Sequence, residues 1–232
     1  MFKRFQKAAK TTMLITLAIG TTLAFSSGAW AKDAKIQPTS YRTVAEVKDW
    51  GAAITKIIVN LGKPVPKDAI TKDTFKVHVG RSDNRLVNPF IENGNRKVTK
   101  AYVSDKSGNP VNKTGSYVVL EMETGPALTL SSAIHYDAAG SGFNAWNDNK
   151  YTITQQKAIK TTSGTISGLK IDTSAGQIRK LVDQFTTGKA SFDGITLTYA
   201  DYAPAKDKVK NPLVIWLHGM GEGGTDPTIP IS

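Results

Sequence analysis

Near its carboxyl end the sequence runs from Pro212-Leu213-Val214-Ile215-Trp216-Leu217 straight into His218-Gly219-Met220-Gly221-Glu222-Gly223-Gly224. Four glycines in seven residues keep side chains out of the way, so backbone N–H groups can come within hydrogen-bonding distance of an anion. Two anions suit such a loop: a phosphate, or the oxyanion that develops on a carbonyl under nucleophilic attack. A phosphate-cradling loop ends in Lys-Ser/Thr or shows dinucleotide spacing, and neither is present. The oxyanion reading calls for a nucleophile and a base. The sequence contains no Gly-x-Ser-x-Gly, and Gly164-Thr165-Ile166-Ser167-Gly168 has its serine one place late, in a linker-like stretch. His78 and His135 fall in alternating, strand-like runs and read as ordinary histidines. His218 belongs to the loop and reads as a support for its conformation. No catalytic nucleophile is therefore assigned, and no residue pattern points to a metal or other cofactor.

The loop needs elements to hold it. The run 212–217 is apolar throughout, as expected of a strand buried on both faces of a sheet. Upstream, Ile195, Leu197 and Tyr199 alternate with Thr196 and Thr198, an amphipathic strand ending at Ala203-Pro204, followed by the charged turn 206–210. Before that, Ile178, Leu181, Val182 and Phe185 stand at i, i+3, i+4 and i+7. With Ser174 and Gln177 as a capping box and Gly188 as a stop, they predict a helix.

From about Ala52 to Ile159 the pattern is short apolar alternations separated by turn residues. Strands are expected at 53–61, 75–79, 98–103, 117–122, 127–136 and 151–155. Six or seven strands is the count of an immunoglobulin-like sandwich, here without its cysteine pair. The loop Gly140–Lys150 carries Phe143 and Trp146 on a polar, glycine-rich stretch. It reads equally as a contact surface for a partner or second domain and as a loop folded over its own core.

The chain has 232 residues, a formal charge of +11 and no cysteine, which excludes disulfides and thiolate metal sites. Residues 1–31 have the layout of a cleavable signal peptide: Lys3, Arg4, Lys7 and Lys10, an apolar stretch from Met13 to Phe25, then Ala29-Trp30-Ala31. That stretch is shorter than the roughly 20 residues of a spanning helix, so no membrane span is expected. Removing 31 residues with four cations and no anions leaves 201 residues at +7. The remaining lysines are scattered and not interleaved with aromatics, which argues against a nucleic-acid groove.

The stretches Phe192-Asp193-Gly194-Ile195, Tyr202-Ala203-Pro204 and Leu217 to Gly224, with Trp146 and Tyr151-Thr152-Ile153-Thr154-Gln155 before them, resemble secreted esterases of the α/β-hydrolase superfamily that carry an immunoglobulin-like N-terminal domain. The resemblance implies a mainly β chain: signal peptide 1–31, immunoglobulin-like domain 32–168, linker and connecting helix 169–190, and at 191–232 the first strands of an α/β-hydrolase domain truncated before its nucleophile elbow. It implies carboxylic-ester hydrolysis in the complete parent. The backbone N–H groups of Met220 and Gly221 would bind the oxyanion, with His218 and Gly219 completing the loop motif. Met220 stands where the family usually has a small residue, and Gly223 where it often has Arg. Without nucleophile and base the chain alone is expected to be inactive. The alternative is an immunoglobulin-like binding or self-association module without catalysis. The leader makes its own prediction: N-terminal sequencing of exported protein will read from Lys32, and an intact Met1 on that protein would refute it.

Overall fold

The computed structural model describes residues 39–83, 90–204 and 212–232, without the side chains of residues 90 and 91. The signal peptide expected at 1–31 and the whole of the charged turn at 206–210 lie outside the described residues.

Two sheets face each other. The first is built on β1 (Ser40–Lys48) and β2 (Gly51–Pro66), a hairpin whose sixteen-residue second strand runs through the middle of the sheet. The second is built on β3 (Phe75–Asp83) and β4 (Phe90–Arg96), also antiparallel. β5 (Val98–Ser104) and β6 (Thr114–Met122) return to the first sheet, β6 pairing with β2. A single turn of 3-10 helix, Thr129–Ser131, leads into a short ribbon of β7 (Ile134–Tyr136) and β8 (Asn144–Trp146). β9 (Asp148–Gln155) pairs with β3, and β10 (Ile159–Thr161) with β11 (Gly164–Ile166) forms a small hairpin. β12 (Lys170–Ile171) then pairs with β9, and β13 (Ser174–Arg179) lies parallel to β1. The sheet orders are β13-β1-β2-β6-β5 and β12-β9-β3-β4.

The core between the sheets follows from period-two alternation. Phe75, Val77 and Val79 point inward while Lys76 and His78 stay exposed, and Val118, Leu120 and Met122 do the same on β6. The central strand β2 adds Ile54, Ile57 and Val59 to this core, and on the sheet's other face Ile58 packs with Val44 and Val119. Each such side chain, buried completely, contributes on the order of 1.5–3 kcal/mol.

Polar groups join the sheets as well. The Tyr41 hydroxyl of the first sheet accepts the backbone N–H of Tyr151 in the second at 2.9 Å, and the two rings meet edge to face at 6.0 Å. Arg96, at the end of β4, is 6% exposed. Its guanidinium donates to the carbonyls of Leu130 and Ile54, each at 3.0 Å, to the Glu123 carbonyl at 2.9 Å and to the Tyr151 hydroxyl at 3.1 Å. Burial pushes the Tyr151 phenol up to about 12, the neighbouring Arg96 charge opposing the shift.

Of the strand expected at 127–136 only Ile134–Tyr136 forms, after the 3-10 turn Thr129–Ser131. Two further expectations are corrected here. Residues 174–188 contain no α-helix: they form β13, a 3-10 turn at Val182–Gln184 and the start of β14 (Thr186–Phe192). Gly176 sits at φ +101°, outside helical space, and the Ser174 hydroxyl accepts from the N–H of Gly176 rather than capping a helix. Hydrogen bonding to the edge of β1, with Ile178 packed over Val44 and Ile58, replaces the helical arrangement. Leu181, which the helical stripe would bury, is exposed. The second correction concerns residues 212–217, which belong to no strand and have exposed side chains, Val214 reaching 85%. An apolar strand becomes buried only between neighbours, and among the described residues none pairs with this run. The expected amphipathic strand does form, as β15 (Ile195–Asp201), paired with β14 across Asp193-Gly194, both at positive φ as a two-residue hairpin turn requires.

Arg96→Ala will strand three carbonyls and a buried phenol. A loss of at least about 3 kcal/mol in urea unfolding is expected, at about 1–3 kcal/mol per orphaned buried group. Arg96→Lys, with one nitrogen in place of the fork, will recover only a minor part. A loss under 1 kcal/mol for Arg96→Ala would refute the assignment. The Tyr151 phenol gives a pH dependence. Because its folded-state pKa lies above the unfolded value near 10, its contribution is complete below pH 10 and is lost as pH rises toward 12. Tyr151→Phe should therefore flatten the alkaline limb of stability by about 1.4 kcal/mol per pH unit above pH 10, measured by denaturant titrations at stepped pH.

Candidate functional site: the glycine loop and its seat on the sandwich

The loop after residue 217 begins with a local lock. His218 Nδ1 donates to the carbonyl of Gly219 at 2.8 Å. Met220–Glu222 then make one turn of 3-10 helix, closed by the Glu222 N–H on the Gly219 carbonyl at 3.3 Å and by the Gly223 N–H on the Met220 carbonyl at 3.4 Å. In such a turn the first N–H groups precede the first bond, so those of Met220 and Gly221 stand at its open end. The Met220 side chain is exposed, while Gly221 and Gly223 are half-buried.

The half-burial comes from the β7–β8 ribbon. Gly221 lies against Asn144 Nδ2 and the Tyr136 ring. Gly223 lies beside the Phe143 ring: a Cβ added there would stand 2.8 Å from the ring's Cδ1 and Cζ, closer than carbon atoms can approach. The aromatic ring fills the space that a side chain at position 223 would take, which is the physical content of finding glycine there. Gly224 passes the same ring at φ +102°, a conformation L-residues rarely adopt.

The segment beyond is pinned to the same ribbon. The Thr228 hydroxyl accepts from the indole N–H of Trp146 at 2.8 Å and from Arg179 Nη1 at 3.4 Å, and donates to Asp226 Oδ1 at 2.6 Å. This matches a hydroxyl's capacity of one donation and two acceptances. The Arg179 guanidinium lies 5.3 Å from the centre of the Trp146 ring and is held by Asp183 at 2.8 Å. Ile229 is buried in the adjacent turn Ile229–Ile231. Of the readings of the Phe143–Trp146 loop, the structure shows the one folded over its own chain: Trp146 packs against the sandwich core and also binds the carboxyl-terminal segment, and Phe143 faces the glycine loop.

The ribbon is itself anchored. Arg81, buried on β3, donates to the Ile134 carbonyl at 3.2 Å and pairs with Glu92, which also accepts from the Thr129 hydroxyl. An open cleft of about 360 Å³ lies over this pair, with Trp50, Leu128 and Tyr136 among its walls. Tyr136 borders both the cleft and Gly221.

The other sequence candidates sit elsewhere. His78 is exposed and faces Asn95 Oδ1 at 3.3 Å, and His135 lies on β7 beside the cleft. Ser167 follows the β10–β11 hairpin, which is not the strand-to-helix turn of a nucleophile elbow. The seat of the loop on β7–β8 was not legible in the sequence, where only the aromatic pair on a glycine-rich stretch signalled it. Among the described residues no three His, Asp or Glu side chains converge as a metal-binding group, and no helix is long and apolar enough to cross a membrane.

No curated protein matches the chain. Among solved structures it is similar to the crystal structure of a thermostable esterase, with a TM-score of 0.68 and 22% identity over 83% of this chain. The chain spans half the length of that esterase. At this identity the likeness concerns the fold. Residues 40–168, which run from β1 through the β10–β11 hairpin, match the family described as the esterase Ig-like N-terminal domain. That match takes in the sandwich's inter-sheet contacts and the β7–β8 ribbon and covers more than half of the chain, which therefore belongs to the esterase Ig-like N-terminal domain family.

Proposed function

We propose that this chain is the amino-terminal region of a secreted carboxylic-ester hydrolase of the α/β-hydrolase type, and that its loop His218–Gly224 supplies oxyanion-binding N–H groups. The observation that carries the reading is the family membership of residues 40–168 together with a glycine loop seated on that same domain. The Met220 N–H is the first candidate donor and Gly221 its neighbour, both at the open end of the turn. Fixed backbone dipoles of this kind stabilise charge that appears only in the transition state, and one such donor is worth about 10²–10³ in rate. His218, bonded to the carbonyl next to it, acts on the loop's shape.

The nucleophilic serine and general base belong in this reading to sequence outside these 232 residues, which contain no Gly-x-Ser-x-Gly. Secretion rests on the basic start, the apolar stretch and Ala29-Trp30-Ala31.

The purified 232-residue chain is expected to hydrolyse p-nitrophenyl esters no faster than buffer. A chain extended through a downstream Gly-x-Ser-x-Gly is expected to turn them over, and replacing that serine by Ala should abolish the activity. Saturable hydrolysis by the 232-residue chain that survives repurification and resists serine-directed inhibitors would overturn the proposal.

A further inference from the structure

The glycine loop makes little structure of its own: one 3-10 turn with two long hydrogen bonds and one histidine contact. Its remaining described contacts come from a single element of the sandwich. Phe143 covers Gly223 and Gly224, Asn144 and Tyr136 flank Gly221, and Trp146 holds Thr228 four residues beyond Gly224. These four residues belong to the β7–β8 ribbon and its connection, between Tyr136 and Trp146, and they meet the loop at three successive glycines and at the segment leaving it. We propose that the β7–β8 ribbon is the positioning element of the glycine loop, and that Phe143 is the residue that sets the loop's backbone.

The physical case rests on what each contact constrains. A ring packed against two glycines restricts the φ/ψ freedom that glycine otherwise has in abundance, and it does so without using the N–H groups of Met220 and Gly221. The Trp146–Thr228–Arg179 network fixes the far end, so the segment between cannot drift along the ribbon. Behind the ribbon, Arg81 holds the Ile134 carbonyl and Arg96 the Leu130 carbonyl, which makes the platform part of the sandwich. Phe143 and Trp146 are positioning residues: they act through the loop. That this loop binds an oxyanion rests on the functional reading above, whereas the positioning itself does not.

Hydrogen exchange on the full 232-residue chain separates the two. Phe143→Ala is expected to speed exchange of the amides at 219–224 by at least 10-fold while amides of β3 and β6 keep their protection. Phe143→Tyr, which retains the ring, should leave the loop as it was. Thr228→Val, which removes the indole's acceptor, should loosen 225–231 without touching β3 and β6. Unchanged exchange at 219–224 in Phe143→Ala would overturn the proposal, as would an equal loss of protection in β3 and β6. In a chain extended through the nucleophile, Phe143→Ala should lower kcat at least 10-fold with little change in KM. A fall in KM-linked binding alone, or no change in kcat beside a loosened loop, would overturn the catalytic consequence. If the extended chain carrying the native Phe143 shows no ester hydrolysis at all, the functional reading fails and the exchange data still decide the positioning.

Discussion

A buried guanidinium holds this sandwich together. Arg96 leaves β4 in one sheet and reaches the Ile54 carbonyl in the other, the Glu123 carbonyl past β6, the Leu130 carbonyl in the turn before β7 and the Tyr151 hydroxyl on β9. A chain without cysteine has no covalent tie between its sheets. Apolar contact between them is non-directional and fixes distance better than register. The planar guanidinium, with donors in a fixed fork, supplies the missing direction: its four partners come from four different segments and can be satisfied together in one arrangement. Burial disfavours its charge, and the neighbouring Tyr151 hydroxyl counters part of that effect.

The same constraint extends toward the glycine loop. Holding Leu130 fixes the turn Thr129–Ser131, and Arg81 takes a carbonyl four residues further on, at Ile134. The ribbon that follows is only three residues a side, too short for a hairpin to be stable by itself. Anchored at its root, it presents Phe143 and Trp146 to the carboxyl-terminal segment. Rigidity is thus passed from the inter-sheet core to a loop whose glycines give it none. The β14–β15 hairpin and the run 213–217 show the opposite condition: Phe192, Ile195, Leu197 and Trp216 remain exposed among the described residues.

Where period-two alternation met a half-buried sheet, the sequence was a reliable guide: Phe75-Val77-Val79 and Val118-Leu120-Met122 stand on the faces expected of them. β1 and β4 were missed. In β1 a bulge near Val44 puts Thr43, Val44 and Ala45 all out of solvent and hides the alternation. β4 carries Asn93-Gly94-Asn95 just before its last residue, and these disfavour strands when read locally. The helix expected over Ile178, Leu181, Val182 and Phe185 failed because an i, i+3, i+4, i+7 pattern states only which residues are apolar. The free edge of β1 offered those residues a different way to be buried.

Local chemistry alone therefore determined the alternating strands, the glycine loop after an apolar run, the Asp193-Gly194 turn and the lack of any disulfide. These depend on neighbours in the chain and on what each residue type can do by itself. Tertiary structure decided that Arg96 is an inter-sheet clamp, that residues 174–179 extend a sheet in parallel, and that Phe143 fills the space above Gly223. Each of these joins residues far apart in the chain. Such pairings are chosen by which arrangement satisfies buried donors and covers apolar surface at once, a condition set by the assembled sandwich and by no segment of it.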